Sequence, residues 1–273
     1  MPDLWNQGSI TLEVMAATRL PTPCIAELQA ERLAQPLDAA TLGSAFWRHV
    51  LRGHDPARAR LADLPVVGKG ELMRHFDGWV TDPRLTLPAL RAFTADSARI
   101  AEPGLFVQDE AALAVYDTRE AVRRDSPRPW QRLFDPLLLS ERIAFVGATS
   151  GHFASHVSVM RARRLNPWGT RQWHSLSILQ PVADLVEALN ACAPTIIATY
   201  PTAAAMLADE AERGALRVPI EELWTGGETL SPAVRARAER VFGCPLRSGY
   251  GASEFLPIAW ECGHGRMHVN ADW

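Results

Sequence analysis

The chain has 273 residues, 47% hydrophobic and 22% charged, which is the range of an ordinary globular protein with room for one large or two small domains. Its formal net charge of −3 gives no reason to expect a nucleic-acid partner, and no apolar run reaches the roughly 20 residues that cross a bilayer. The N-terminus lacks a basic start followed by an apolar core. The cysteines Cys24, Cys192, Cys244 and Cys262 form no Cys-x-x-Cys pair, so a reduced, cytoplasmic protein is expected.

Residues 1–22 show no clear apolar period and read as an irregular arm. Ile25, Leu28, Leu33 and Leu37 have helical spacing, which predicts a helix ending near Pro36. A second helix is predicted over Thr41–Leu51, with Leu42, Phe46 and Val50 on one face, broken by Arg52-Gly53-His54-Asp55-Pro56. A short third helix follows at Glu71–Phe76. Residues 1–76 therefore read as a helical N-terminal cap, and 77–273 as an α/β core. Within the core, 77–103 is proline-bearing and loop-like, Gly104–Val107 a strand and Glu110–Arg124 a helix. Arg161, Arg163 and Arg164 read as a solvated helix face.

From Arg142 onward strands and helices alternate. Strands are predicted at Ile143–Val146, Ser175–Leu179, Thr195–Thr199, Leu223–Thr225 and Leu246–Ser248, the last. Helices are predicted at Phe153–Leu165, Pro181–Cys192 and Pro201–Arg213, and from Ser231-Pro232 to Gly243. First-turn prolines, an N-cap serine and C-terminal glycines mark the helix limits. Such alternation predicts an α/β fold, a mainly parallel sheet with helices on both faces. In an open parallel sheet, ligands bind at the carboxyl ends of strands. Two strand ends here carry chemistry: Gly226-Gly227-Glu228 after Leu223–Thr225, and Tyr250-Gly251-Ala252-Ser253-Glu254 after Leu246–Ser248. Read alone, each is an ordinary turn.

Together, in this order, the two turns resemble the Gly-Gly-Glu and Tyr-Gly-x-Thr/Ser-Glu motifs of the adenylate-forming, AMP-binding superfamily. Leu64-Pro65-Val66-Val67-Gly68-Lys69, and the stretch from Glu261-Cys262 to Met267-His268-Val269-Asn270-Ala271-Asp272, are similar to segments of its phenylacetate–CoA ligase and coenzyme F390 synthetase-like branch. The resemblance covers roughly residues 40–273. It implies an AMP-forming carboxylate–CoA ligase using ATP, Mg²⁺ and CoA on a small carboxylic acid, aromatic at the family level. It implies Glu254 as the Mg²⁺ carboxylate with Ser253 beside it as catalytic groups, since Mg²⁺ takes oxygen ligands. Tyr250 would stack on adenine, and Gly251, Gly226, Gly227 and Glu228 would line the nucleotide. His152, Phe153 and Tyr200 would face the acid. A homodimer is expected from the apolar surface left by the helical cap.

Two departures from the family pattern stand out. Its glycine- and hydroxyl-rich phosphate loop is replaced by Asp96-Ser97-Ala98-Arg99-Ile100-Ala101-Glu102-Pro103. Alanine resists positive φ, so a nest of backbone N–H groups is strained by about 1 kcal/mol or more per position. Ser97 and Arg99 remain as phosphate donors. The segments that carry the family's ribose-binding aspartate and catalytic lysine have no counterpart. The alternative is thus a homologue that has lost adenylation and keeps the pocket for binding or other chemistry. Cys262-x5-His268 matches part of a zinc site in this branch, but without further ligands the pair reads as two ordinary partly buried residues rather than a Zn²⁺ site. No Gly-x-Ser-x-Gly elbow accompanies Ser150 or Ser155, and no Gly-x-Gly-x-x-Gly follows a strand, which argues against serine hydrolase and NAD-binding chemistry.

Overall fold

The computed structural model describes residues 4–17, 19–83, 85–95, 140–149, 156, 159, 172–252 and 255–272. The chain forms two compact units, one of residues 1–15 and 100–270, the other of 16–99 and 271–273. The expected strand at Gly104–Val107 and helix at Glu110–Arg124 lie outside the described residues, as does all of Phe153–Leu165 except His156 and Val159, both helical. Among the described residues, no helix is long and apolar enough to cross a membrane.

The smaller unit is helical. α1 (Leu4–Ala17), which leads into it, replaces the expected irregular arm. α2 (Thr22–Gly43) runs through Pro36, where a stop was expected. A proline inside a helix costs about 3 kcal/mol and need not end it. None of the α2 residues is buried, so its apolar positions make no core. α3 (Ala45–Val50) begins at Ser44, whose hydroxyl accepts from Trp47 N–H at 3.1 Å and donates to the Gly78 carbonyl at 2.7 Å. This cap shortens the helix expected over Thr41–Leu51, because Ser44 itself is extended, with φ −136° and ψ 128°. α4 (Lys69–Arg74), α5 (Phe76–Trp79) and α6 (Leu87–Ala95) complete the unit. Leu51, Phe76 and Leu90 are buried, and Phe76 meets Trp79 edge-on at 5.4 Å.

The larger unit is built on a seven-stranded sheet in the order β2-β1-β3-β4-β5-β6-β7. The strands are β1 (Ile143–Gly147), β2 (Trp173–Ser177), β3 (Ile196–Thr199), β4 (Glu222–Thr225), β5 (Leu246–Ala252), β6 (Phe255–Glu261) and β7 (Met267–Val269). The first five are parallel, and β6 and β7 continue the sheet antiparallel. The expected last strand, Leu246–Ser248, is therefore the first half of a longer one. The Tyr-Gly stretch lies on a β5–β6 hairpin with a bulge between Tyr250 and Ala252 rather than on a simple turn.

Strand register sorts the side chains into two faces. Ala144, Ile197, Leu223 and Leu246 align across β1, β3, β4 and β5. They form one core with Leu185, Val186 and Leu189 of α7 (Val182–Cys192), Ala204 and Leu207 of α8 (Pro201–Glu212), and Ala238 of α9 (Pro232–Phe242). The next row reads Phe145, Ala198, Trp224, Arg247, and a smaller cluster of Ile143, Ile196 and Trp224 occupies that face. α9 begins where the sequence places it: Ser231 Oγ accepts from Val234 N–H at 3.2 Å, and Gly243 closes the helix at φ +64°.

Candidate functional site

The carboxyl ends of β1, β3, β4 and β5 are sewn together by hydroxyls. Thr199 Oγ1 donates to the Val146 carbonyl at 2.7 Å, and Thr225 Oγ1 to the Arg247 carbonyl at 3.4 Å. Beyond Thr225 the chain turns through Gly226 and Gly227. A Cβ on Gly226 would stand 3.2 Å from the Gly249 carbonyl oxygen, so the ends of β4 and β5 nearly touch there. Gly227 has φ +78°, and a Cβ on it would meet the Tyr200 ring at 3.3 Å. Both glycines are required by local geometry, one by close approach and the other by backbone sign as well.

Tyr200 precedes α8 and joins three elements. Its hydroxyl accepts from Ala148 N–H at 3.4 Å, its ring lies edge-on to Phe145 at 6.5 Å, and the same ring backs Gly227. It stands between the end of β1 and the Gly-Gly turn. Glu228 reaches the start of α8, where its two carboxylate oxygens accept from Thr202 N–H and Oγ1, each at 3.1 Å. This satisfies a helix-terminal N–H and sets negative charge at the positive end of the α8 dipole.

On β5, Gly249 faces Trp260, whose ring a Cβ there would meet at 3.0 Å. Trp260 in turn meets Trp224 edge-on at 5.9 Å. Tyr250 is 59% exposed and Gly251 is exposed beside it, so a tyrosine ring projects into solvent near the glycine turn. The structure thus brings Gly226, Gly227, Glu228 and Tyr200 together, with Tyr250 and Gly251 on the adjoining hairpin. Ser97, Arg99, His152, Phe153, Ser253 and Glu254 lie outside the described residues, as do Ser150 and Ser155.

Cys262 and His268 lie on one face of the β6–β7 hairpin, since Trp260 pairs with His268 and Cys262 N–H donates to the Arg266 carbonyl. That makes them diagonal neighbours across the hairpin. Among the described residues, no group of three His, Cys, Asp or Glu side chains is placed to hold a metal ion.

Sequence reasoning missed how the outer edge of β5 is closed where β6 diverges. Glu239 accepts from Leu246 N–H at 3.1 Å, Arg235 donates to the Leu246 carbonyl at 2.9 Å, and Glu261 accepts from Ser248 N–H at 2.9 Å. Arg235 also grips both Glu261 oxygens, at 2.7 and 2.6 Å. Side chains here do the work of a missing strand. The only advance signal is the helical i, i+4 spacing of Arg235 and Glu239. A second overlooked pair is His156 with Ser175, 2.8 Å from Nδ1 to Oγ, where burial holds the imidazole below its ordinary pKa.

Residues 174–272 match the AMP-binding enzyme family, a stretch that begins in β2, ends after β7 and contains both glycine turns. No curated protein matches the sequence. Among solved structures, the chain is similar to 2-hydroxyisobutyryl-CoA ligase in complex with 2-HIB-AMP and CoA in the thioesterification state. That match has a TM-score of 0.61 and 16% identity, and it covers 92% of this chain and 54% of that one. The same ligase in the postadenylation state with 2-HIB-AMP gives 0.59 and 16%, covering 88% and 52%. Its open conformation with 2-HIB-AMP and CoA gives 0.57 and 16%, covering 86% and 52%. The chain spans about half the length of these proteins. At such identities the likeness is one of fold, and it agrees with the mostly parallel α/β sheet described above.

Proposed function

We propose that this chain is the nucleotide-binding portion of an AMP-forming carboxylate–CoA ligase-like protein of the phenylacetate–CoA ligase branch. The observation that carries the reading is the contact of two glycine turns at the carboxyl ends of β4 and β5, with Gly226 against the Gly249 carbonyl and the exposed Tyr250 ring beside them. Glycine-lined strand ends with an exposed aromatic ring on the next strand suit a planar base. The family match over residues 174–272 supports the same reading.

In this proposal the Tyr250 ring stacks on adenine, and Gly226, Gly227 and Gly251 let backbone approach the nucleotide. Glu228 fixes the β4–α9 loop by holding Thr202, and Tyr200 backs Gly227 from the acid side. Ser253 and Glu254 follow Tyr250 in the sequence and take the phosphate and Mg²⁺ roles that the motif implies. Ser97 and Arg99 donate to phosphate, while His152 and Phe153 contact an aromatic acid. When bound, ATP supplies the leaving pyrophosphate as the acid's carboxylate oxygen joins the α-phosphorus, and the CoA thiol then displaces AMP as the thioester forms.

A second reading is favoured by Ala98 and Ala101, which stand where the resembled loop has glycines. It holds that AMP is still bound while ATP is no longer turned over. Calorimetric titration with AMP and with ATP·Mg, each on the native chain and on Glu254→Ala, separates the two. The ligase reading expects ATP·Mg to bind and Glu254→Ala to weaken it by about 2 kcal/mol, the worth of a charged contact. AMP binding without ATP·Mg binding selects the second reading, and binding of neither nucleotide overturns both.

A further inference from the structure

We infer that Arg235 and Glu261 are positioning residues for the nucleotide, which fix the Tyr250 hairpin against the Gly226-Gly227 turn; this rests on the nucleotide-binding reading above. Tyr250 does not fix its own direction. Glycines stand on both sides of it, and the β5–β6 pairing shifts between Tyr250 and Ala252. Its direction is set by what holds the two strands before that shift.

Toward β4, β5 is paired at Leu246, Arg247 and Ser248. Toward β6, pairing begins only at Gly249, opposite Trp260. The outer backbone groups of residues 246–248 are taken by side chains instead. Glu239 accepts from Leu246 N–H, Arg235 Nη1 donates to the Leu246 carbonyl, and Glu261 accepts from Ser248 N–H.

These contacts close a ring around the two motifs. α9 follows the glycine turn and starts at Pro232. From α9, Arg235 Nη2 donates to both Glu261 oxygens, at 2.7 and 2.6 Å, and Glu261 ends β6. β6 leads back to Ala259, which pairs with Tyr250, and the Gly249 carbonyl oxygen closes on Gly226. The Glu261 side chain is 5% exposed and that of Arg235 28%, so water competes poorly for the link. A planar guanidinium on three acceptors fixes angle as well as distance. Such a pair adds little net stability over apolar packing. What it supplies here is a fixed spacing between the helix that follows one motif and the strands that carry the other.

The test is calorimetric titration of the whole chain with AMP, on the native protein, Glu261→Gln, Arg235→Lys, Tyr250→Ala, the double variant Tyr250→Ala/Glu261→Gln, and Leu216→Ala. Leu216 is buried in the connection that enters β4 and serves as the control for lost stability alone. Near-UV circular dichroism reports whether each variant keeps its fold. Tyr250→Ala should lower AMP affinity at least about tenfold, the worth of a stacked base. Glu261→Gln and Arg235→Lys should each lower it roughly fivefold without touching the ligand, and Leu216→Ala less than about twofold. In the Tyr250→Ala background, Glu261→Gln should cost less than about twofold, because the pair acts through the ring. An equal loss with and without Tyr250 overturns the inference, as does a matching loss in Leu216→Ala. So does full affinity in both Glu261→Gln and Arg235→Lys while Tyr250→Ala is weakened, an outcome that leaves the nucleotide-binding reading standing. Unchanged affinity in Tyr250→Ala overturns the stacking role and the inference together. Absence of AMP binding by the native chain overturns the nucleotide-binding reading itself, and the inference falls with it. Should Glu261→Gln not fold, the same cycle is read with Arg235→Lys.

Discussion

The two ends of the one sheet are made differently. β1, β3 and β4 are covered on both faces, and nearly every residue in them is buried. β7, at the other end, buries none of its three residues, and Val269 is 68% exposed. Parallel strands joined by α7, α8 and α9 gain a helical layer from their own connections. Hairpin strands bring no such cover. The glycine turns lie at the junction, with Gly226 backed by the covered end and Tyr250 carried by the open one. The buried strands can therefore hold the glycine turns in place while the hairpin exposes its aromatic group to solvent.

The widest contrast is in core truncation. Ile197 lies fully buried at the centre of the larger core, between Ala144 and Leu223 in register. Ile197→Ala is expected to lower unfolding stability by roughly 3–4 kcal/mol, by lost transfer energy and the cavity left behind. Val269→Ala at the open end should change it by less than about 0.5 kcal/mol. Urea titration of both variants measures the difference, and equal losses would break the comparison.

Next in size is the strut that joins the two ends. Glu261→Ala removes the bidentate partner of Arg235 and the acceptor of Ser248 N–H, in a side chain only 5% exposed. Arg235 is partly open to solvent, so the expected cost is roughly 2–3 kcal/mol rather than that of a fully buried pair. Glu261→Gln, which keeps one acceptor, should lose about half as much. A loss near zero for E261A would mean that water replaces the carboxylate at the β5 edge.

What the sequence revealed follows the same division. Ser231-Pro232 and Gly243 fixed α9 because capping is local: a hydroxyl for Val234 N–H, a proline without an N–H, and a residue free to take φ +64°. The buried strands were visible as short Ile-, Thr- and Leu-rich runs. β6 and β7 were not, because Pro257 interrupts one apolar run and the other has only three residues. Their pairing is supplied by neighbours, which composition does not encode. The glycine turns could be read from motif order, but Glu228 bonding Thr202 and Tyr200 backing Gly227 depend on α8 lying beside β4. Arg247 lies within the strand predicted at Leu246–Ser248, but only register sets it beside Trp224.

Alkaline pH probes the covered end by another route. Cys244 is buried, and burial, reinforced by Glu222 and Glu239, raises its thiol from the ordinary 9.0 to about 12. A raised folded pKa means that the folded chain keeps a proton the unfolded chain releases. The stabilisation is present below pH 9 and is lost as pH rises from 9.0 toward 12. One such proton gives a slope of at most ~1.4 kcal/mol per pH unit. Between pH 9 and 10, Cys244→Ala should remove about 1 kcal/mol of the native chain's decline in stability. The same slope in both proteins would assign the alkaline loss to other groups.

The smallest effect expected lies at the junction itself. Ser231→Ala deletes the acceptor for Val234 N–H at the start of α9, an exposed contact, at a cost of about 0.5–1 kcal/mol. Its value lies in direction. α9 begins five residues after Gly227, so a frayed first turn would loosen the loop carrying Glu228 without touching the buried strands. Hydrogen exchange should then speed up at residues 229–234 and stay unchanged in β3 and β4. If β4 exchanged faster as well, the glycine turn and the covered strands would open together, and the division between a fixed floor and a yielding hairpin would have to be drawn nearer to Tyr250.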